Sequence, residues 1–517
     1  MSNFAFRSGA RGLSVATWNV AAINNNPFEY WITMKGHPAY NKMMVDVENF
    51  IENPGSEDVA VNKVFTDVMY DSLEKHMGAA GFKDLPKVRE FWENDFKSRP
   101  IITGFMKDKS LGSKRLTSMP DRYTNTINVV GSSDPVCRPT VINMYEGDLS
   151  TLDLWWEQWS TYMFETPLTI SGKNGQETMK VCEMLAPIKS SKYPAITPEE
   201  EAISIPLQVV AHAIFDSILV HMLNTISGPS VWQPMKREIV QALNKQKVPK
   251  TLGILAEQYI ESDVICLQEV SAAMIEQARS VPTLASKFHI VASAHLDAKR
   301  DQNSVVFLSK AKFPQGANSE ITDLVEKAFP VGVKVPVAQG DIMAITAVDS
   351  AGRSFVVASF HGDTNGLATI PVLRAIHKVM KETPALQGHK LVFGLDANTY
   401  ETGSKDKQGV VEFGEEFVSL GYSSNWGDKP SPSEYTTYNA RTYLQPQLNK
   451  ALKNDEKRAK GDVNPKDFVL FEAASWDVID NLKDNTGKGA YLEDTPFPTL
   501  EWPSDHGLLC CHLGAKE

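Results

Sequence analysis

Nothing in this chain supplies a disulfide framework. Its 517 residues include five cysteines, Cys137, Cys182, Cys266, Cys510 and Cys511, an odd number with no C-x-x-C pair and no zinc-ligand spacing. A disulfide-stapled scaffold is excluded, and a reducing compartment, cytoplasm or nucleus, is expected. A basic excess is also missing: 52 Lys and Arg against 63 Asp and Glu leave a net charge of −11. Proteins that coat nucleic acid need a broad positive surface, because phosphate neutralisation supplies that affinity. Any polyanion must therefore meet a local patch, or the substrate is small. Residues Met1 to Gly12 carry Arg7 and Arg11 but no apolar run of signal-peptide type. No short period recurs, which excludes a repeat array. The most apolar segment, Ile203 to Ile226, is interrupted by Pro206, His212, Asp216 and His221. A membrane span would carry these at high cost, so the segment is expected to be a buried helix, with no membrane span in the chain. His212 and Asp216, four residues apart on that helix, are expected to form a satisfied internal pair.

What is present falls into two characters. Residues 24–232 read as helices broken by proline-rich joints, with apolar residues at helical spacing over Val64 to His76, Val88 to Phe96 and Asp148 to Phe164. The aromatics of the last segment, Trp155, Trp156 and Trp159 among them, read as helix-packing core rather than as a substrate floor. Before and after this region the pattern is that of an α/β protein. Leu13 to Val20 is rich in β-formers and ends at Asn19. An amphipathic helix, Pro234 to Glu261, leads into Asp263 to Val270, an apolar strand ending in Gln268-Glu269. Further strands run over Asn303 to Leu308, Phe355 to Phe360 before His361, Leu391 to Leu395 before Asp396-Ala397-Asn398, and Trp476 to Leu482 with Asp480 inside. The last is Leu508 to Cys511, preceded by Pro503-Ser504-Asp505-His506-Gly507. The mixed-charge stretch Gln447 to Lys466 is expected to be a solvated helix and loop.

Polar residues thus recur at strand ends: Asn19, Glu269, His361, Asp396 with Asn398, Asp480, and Asp505 with His506. Residues at one edge of neighbouring strands can converge on a single cleft. Acids gathered this way repel one another unless cations sit among them, and an oxygen-rich set favours Mg2+, or Mn2+, over zinc.

In order along the chain, Thr17-Trp18-Asn19-Val20, Leu267-Gln268-Glu269-Val270, His361, Gly394-Leu395-Asp396-Ala397-Asn398, Ile479-Asp480 and Pro503-Ser504-Asp505-His506 resemble the motifs of the endonuclease/exonuclease/phosphatase superfamily. The resemblance covers residues 13–23 and 233–515. It implies a four-layer α/β/β/α sandwich of two mixed sheets, with residues 24–232 a large, mainly helical insertion after the first strand that caps the site or binds a partner. It also implies metal-dependent phosphoester hydrolysis, on phosphodiesters of nucleic acid or a nucleotide-like substrate. The alternative is a small phosphomonoester such as an inositol, sugar or nucleotide phosphate, and a non-catalytic scaffold is a third reading. Glu269, Asp505 and Asn19 would form the metal site. Asp396 would orient or deprotonate the attacking water, Asn398 would hold it, and His361 and His506 would donate to phosphoryl oxygens. Asp480, rather than Asp477, would orient His506. Some members carry an acid two residues after the first Asn, where this chain has Ala21.

Overall fold

The computed structural model describes residues 12–132, 134–172, 175–297, 299–451 and 461–516. Arg7, Arg11 and residues 452–460 of the mixed-charge stretch lie outside the described residues. The described part of that stretch holds a short turn, Leu448–Lys450. The chain divides into two compact units, one of residues 1–23, 245–439 and 459–517, the other of residues 24–244 and 440–458. By this division the second unit runs to Asn244, and residues 440–451 group with it.

The first unit is built on twelve strands: β1 (Leu13–Asn19), β2 (Val264–Val270), β3 (Phe288–Val291), β4 (Asn303–Ser309), β5 (Ala317–Glu320), β6 (Ile342–Val348), β7 (Ser354–His361), β8 (Lys390–Asp396), β9 (Tyr422–Ser424), β10 (Asp467–Glu472), β11 (Trp476–Asp484) and β12 (Leu508–Ala515). They form two six-stranded sheets, ordered β11-β12-β1-β2-β4-β3 and β9-β10-β8-β7-β6-β5. Both are mixed, since β1 and β2 run parallel, as do β7 and β8, while the other pairings are antiparallel.

Strands buried on both faces read as apolar runs rather than alternating ones, and that is how β2, β7 and β8 read. Between the sheets, Val15, Val264, Cys266 and Val306 meet Ile345, Val357, Val392 and Val469 in one core. On the outer faces, Leu252, Leu255, Met274 and Ile275 cover the first sheet, and Val372, Ile376, Phe413 and Phe417 cover the second. These come from helices Lys247–Gln258, Ala272–Ser280, Thr369–Glu382 and Val410–Ser419. The result is four layers, α/β/β/α. A buried amide helps tie the sheets: Gln268 Nε2 donates to Thr17 Oγ1 at 3.2 Å in its own sheet and to Ser359 Oγ at 3.0 Å in the other.

The second unit is mainly helical, with two small ribbons, Thr126–Ile127 with Val136–Cys137 and Pro167–Gly172 with Gly175–Lys180. At its centre lies the helix Ser204–Ile226, the one helix among the described residues long and apolar enough to cross a membrane; 78% of its most apolar window is buried inside the protein. Trp155 and Trp159 are fully buried, so those aromatics are core, and Trp159 Nε1 donates to Asp216 Oδ2 at 2.9 Å. The pairing of Asp216 differs from expectation. Its carboxylate is held by Arg138 Nε at 2.7 Å and Thr140 Oγ1 at 2.7 Å, whereas His212 Nε2 lies 4.0 Å away. Burial pushes the His212 pKa down, so a neutral imidazole sits beside an arginine–aspartate pair.

Candidate active site

The two sheets deliver their polar ends to one edge. From the first sheet come Asn19 at the end of β1 and Glu269 near the end of β2. Glu269 has φ +58°, and the ladder to β4 shifts register between Leu267 and Val270. An extra residue in one strand bends it and re-aims a side chain; here it aims the Glu269 carboxylate toward the second sheet. Asn19 Nδ2 donates to Glu269 Oε1 at 3.1 Å and to Asp396 Oδ2 at 2.9 Å, so one buried amide joins the acids of the two sheets. The Ala22 N–H reaches Glu269 Oε2 at 2.8 Å, and His361 Nε2 stands 3.2 Å from Oε1. Burial alone would raise the Glu269 pKa. His361, the Ala22 N–H and Asn19 more than offset it and hold the carboxyl below its usual range.

From the second sheet come His361 at the end of β7 and Asp396 at the end of β8, paired in register. Asp396 is fully buried. Its Oδ1 accepts the Asn398 N–H at 2.8 Å, and Asn398, at φ +49°, turns back so that Nδ2 reaches the Gly362 carbonyl at 2.9 Å. Asn and Asp tolerate this left-handed backbone better than other side chains, which suits Asn398 to a turn that returns its amide to the acid.

His506 precedes β12. Ser504 accepts its N–H at 3.0 Å and donates to the Asn19 carbonyl at 2.6 Å. Both Trp18 and Trp502, stacked 4.6 Å apart, donate to the His506 carbonyl. With the backbone fixed, the ring has one orientation: Nε2 lies 3.7 Å from Asp396 Oδ2, and Nδ1 lies 2.9 Å from Asp467 Oδ2. Burial opposes protonation here, but the carboxylates of Asp467 and Asp396 outweigh it and raise the pKa to about 10. His506 is therefore an imidazolium at neutral pH, with Nε2 toward the acids. Asp396, Asp467 and His506 each offer an atom within 4.8 Å of the others, but a protonated imidazole binds carboxylates and not a cation.

Asp480 is not the partner of His506. In the β11–β12 ladder Asp480 pairs with His512, while Asp484 pairs with Leu508. At about 3.3 Å per residue, four residues carry Asp480 far along the strand from the site, and it is exposed. Asp477 lies farther still, opposite Gly514, with Lys516 Nζ at 3.1 Å. Asp467, which starts β10, takes the role because β10 runs antiparallel to β8 and sets Asp467 opposite Asp396. Half-buried Asp505 faces His506 and, with Glu269, Lys247, whose pKa burial pushes down to about 8 against the pull of those two acids. Lys247, missed from sequence, is buried and donates to the Pro503 carbonyl at 2.5 Å. Asn19, Glu269, His361, Asp396, Asn398 and His506 are brought together; Asp480 is not.

A family model described as a domain of unknown function (DUF8234) matches residues 58–237, and no curated protein matches the chain. Among solved structures the chain is similar to the human Nocturnin catalytic domain with bound sulfate anion, at 15% identity over 53% of this chain and 90% of that one, TM-score 0.34. It is also similar to D. rerio TDP2 complexed with single strand DNA product, at 14% identity over 53% and 95%, TM-score 0.32. A third is ANGEL2, a 2',3'-cyclic phosphatase, at 14% identity over 52% and 86%, TM-score 0.34. Likeness at this level says nothing of substrate, and the fold rests on the sheets themselves. Two mixed six-stranded sheets face to face between helical layers, with polar strand ends gathered at one edge, give the first unit the four-layer α/β/β/α sandwich that its sequence resemblance implies.

Proposed function

We propose that the first unit hydrolyses phosphodiester bonds of a nucleic acid or nucleotide-like substrate, with a divalent cation, Mg2+ or Mn2+, as cofactor. The observation that carries this is the convergence of Glu269, Asn19, His361, Asp396, Asn398 and His506 at one sheet edge. The donor set fits a hard cation: Glu269 is ionised, Asp505 is half-buried, and both supply oxygen. Those two residues would hold the ion. Asn19 presents its Nδ2 to the acids and its Oδ1 to the Ala21 N–H at 2.9 Å, so it acts as it stands by positioning Glu269, and ligation would require its amide to turn. A bound cation stabilises charge on phosphoryl oxygens and lowers the pKa of water.

The chain's own groups supply the rest. Asp396, held on Oδ1 by the Asn398 N–H, accepts the proton of the attacking water, which Asn398 helps to position. His361 and His506 donate to the phosphoryl oxygens, which gain charge in the transition state. Asp467 fixes the His506 ring and keeps it charged.

A nucleotide-like substrate is favoured by a cleft of about 780 Å³ walled by Tyr400, Tyr435 and Tyr438. It begins two residues past Asn398, and its Asn464 carbonyl accepts from Thr436 and Thr437, the latter bridged to His506. Aromatic walls suit a base, which stacks whatever its sequence. The acids Glu401, Asp462 and Asp494 in the same wall disfavour a second phosphate there.

The test is hydrolysis of bis(p-nitrophenyl) phosphate, of short oligonucleotides and of sugar and inositol monophosphates with Mg2+. Glu269→Ala and His506→Ala should each lose about 10³-fold or more, on the scale of removing a transition-state donor or metal, with far-UV circular dichroism unchanged. Near wild-type rates in both variants would sink the proposal. Activity confined to the monophosphates would keep the chemistry and replace the substrate.

A further inference from the structure

The two imidazoles of the site are backed from different strands. Asp467, at the start of β10, holds His506, and His361 has a counterpart at the start of β6. That strand runs antiparallel to β7 with Ile342 opposite Phe360, so the residue before it, Asp341, arrives opposite His361 at the same sheet edge. The His361 N–H donates to the Asp341 carbonyl at 2.9 Å, which also accepts Ser304 Oγ at 2.7 Å. Asp341 is buried, and its Oδ1 lies 4.0 Å from His361 Nδ1. At that distance the carboxylate acts on the ring through its charge and not through a hydrogen bond. On the other side of the ring, Nε2 faces Glu269 Oε1 at 3.2 Å and Asp396 Oδ2 at 3.8 Å.

The Asp341 carboxylate is itself fixed. Its Oδ2 accepts the Ala338 N–H at 2.6 Å and its Oδ1 accepts Arg300 Nη2 at 2.8 Å. Arg300 also donates to Asp297 Oδ2 at 2.5 Å and to the Gln339 carbonyl at 2.7 Å. Two carboxylates share one guanidinium, so the trio keeps one negative charge, and Asp341 is the member that faces the ring. The clamp joins residues 299–303 to residues 338–341. A Cβ on Gly340, at φ +87°, would stand 2.7 Å from Asn303 Oδ1 and 2.8 Å from the Gln302 carbonyl. The first of these stretches brings Gln302 Nε2 to 3.4 Å from Glu269 Oε2.

We propose that Asp341, clamped by Arg300, is a positioning residue for His361. The two ring nitrogens are distinct, and a carboxylate beside Nδ1 opposes the half-turn of the ring that would put a carbon there and move Nε2 away from Glu269 and Asp396. This role rests on the proposed phosphodiester hydrolysis, in which Nε2 donates to the phosphoryl group.

The test is a double-mutant cycle in the hydrolysis of bis(p-nitrophenyl) phosphate with Mg2+, over Asp341→Asn and His361→Ala. Asp341→Asn should lower kcat by about 10- to 10²-fold with KM within about twofold, the scale of a misplaced catalytic group. Added to His361→Ala it should cost nothing further. Effects that multiply would mean that Asp341 serves the fold alone and would overturn the proposal. Arg300→Met gives the same cycle should Asp341→Asn fail to fold, and Arg300→Lys should retain more of kcat than Arg300→Met; equal loss would overturn the part given to Arg300. A second readout does not need turnover. With histidine labelled with carbon-13 at Cε1, Asp341→Asn should move the His361 ring resonance and leave that of His506 in place. An unmoved His361 resonance would overturn the proposal in an active or an inactive chain. An inactive parent chain in which the resonance moves would instead sink the hydrolytic reading and, with it, the use of a contact that stands.

Discussion

His506 takes its character from its surroundings. Two buried carboxylates face one imidazole, and Nδ1 is 2.9 Å from Asp467, so the ring stays charged. The folded pKa, about 10, lies above the ordinary His value near 6.5. The stabilisation from this group is therefore complete below about pH 6.5 and is lost as pH rises through about 10. It is on the order of a few kcal/mol at most, and burial that raises the Asp467 carboxyl offsets part of it. Asp467→Asn should flatten this alkaline loss in a pH series of urea melts. It should also bring the His506 ring titration, followed by NMR, down toward the ordinary range. The same substitution should slow hydrolysis by roughly 10- to 10³-fold, in line with loss of an acid behind a catalytic imidazole. Asp480→Asn, on the exposed part of β11, should change the rate by less than about twofold and stability by less than about 0.5 kcal/mol. Equal effects of the two substitutions would return the partner's role to Asp480. Lys247 stands behind the same loop, bonded to the Pro503 carbonyl. Lys247→Met should loosen the loop and show as weaker divalent-ion binding in a titration calorimeter, with the secondary structure retained.

At the level of strands, direction decides which residues reach the site. β7 and β8 bring their last residues, His361 and Asp396, and these are legible because a polar residue closes an apolar run. β10 runs the other way, so its first residue, Asp467, is the one at the edge. A search for acids following strands passes over it. Close contact between the sheets also depends on one residue type. A Cβ on Gly394 of β8 would stand 2.5 Å from Cys266 Cβ in β2 and 2.9 Å from Thr17 Oγ1. Neither neighbour can withdraw, since both lie in the dry core. Gly394→Val should cost about 1–3 kcal/mol or more, as overpacking of a filled core does, read as a lowered urea midpoint. Gly394→Ala should fall between the two.

At the scale of the molecule, the chain forms two compact units, each with its own structural demands. In the second unit Arg138 and Asp216 are fully buried and bonded to each other. Removing one member of such a pair strands the other, so Asp216→Ala should destabilise that unit by about 3–5 kcal/mol. Calorimetry should show the affected transition moving to lower temperature while the phosphoester site, assayed below it, keeps its rate. The sequence by itself determined the α/β class, the helical character of the long middle region and most of the polar residues that gather at the sheet edge. Periodicity and a polar residue closing an apolar run are local features, carried by neighbours along the chain. Tertiary structure alone decided that Asp467 rather than Asp480 holds His506, that Arg138 rather than His212 satisfies Asp216, and that residues 440–451 group with the second unit. Each of these depends on strand register or on contacts between distant segments, and register is set by how whole faces bury, which no short stretch of sequence specifies.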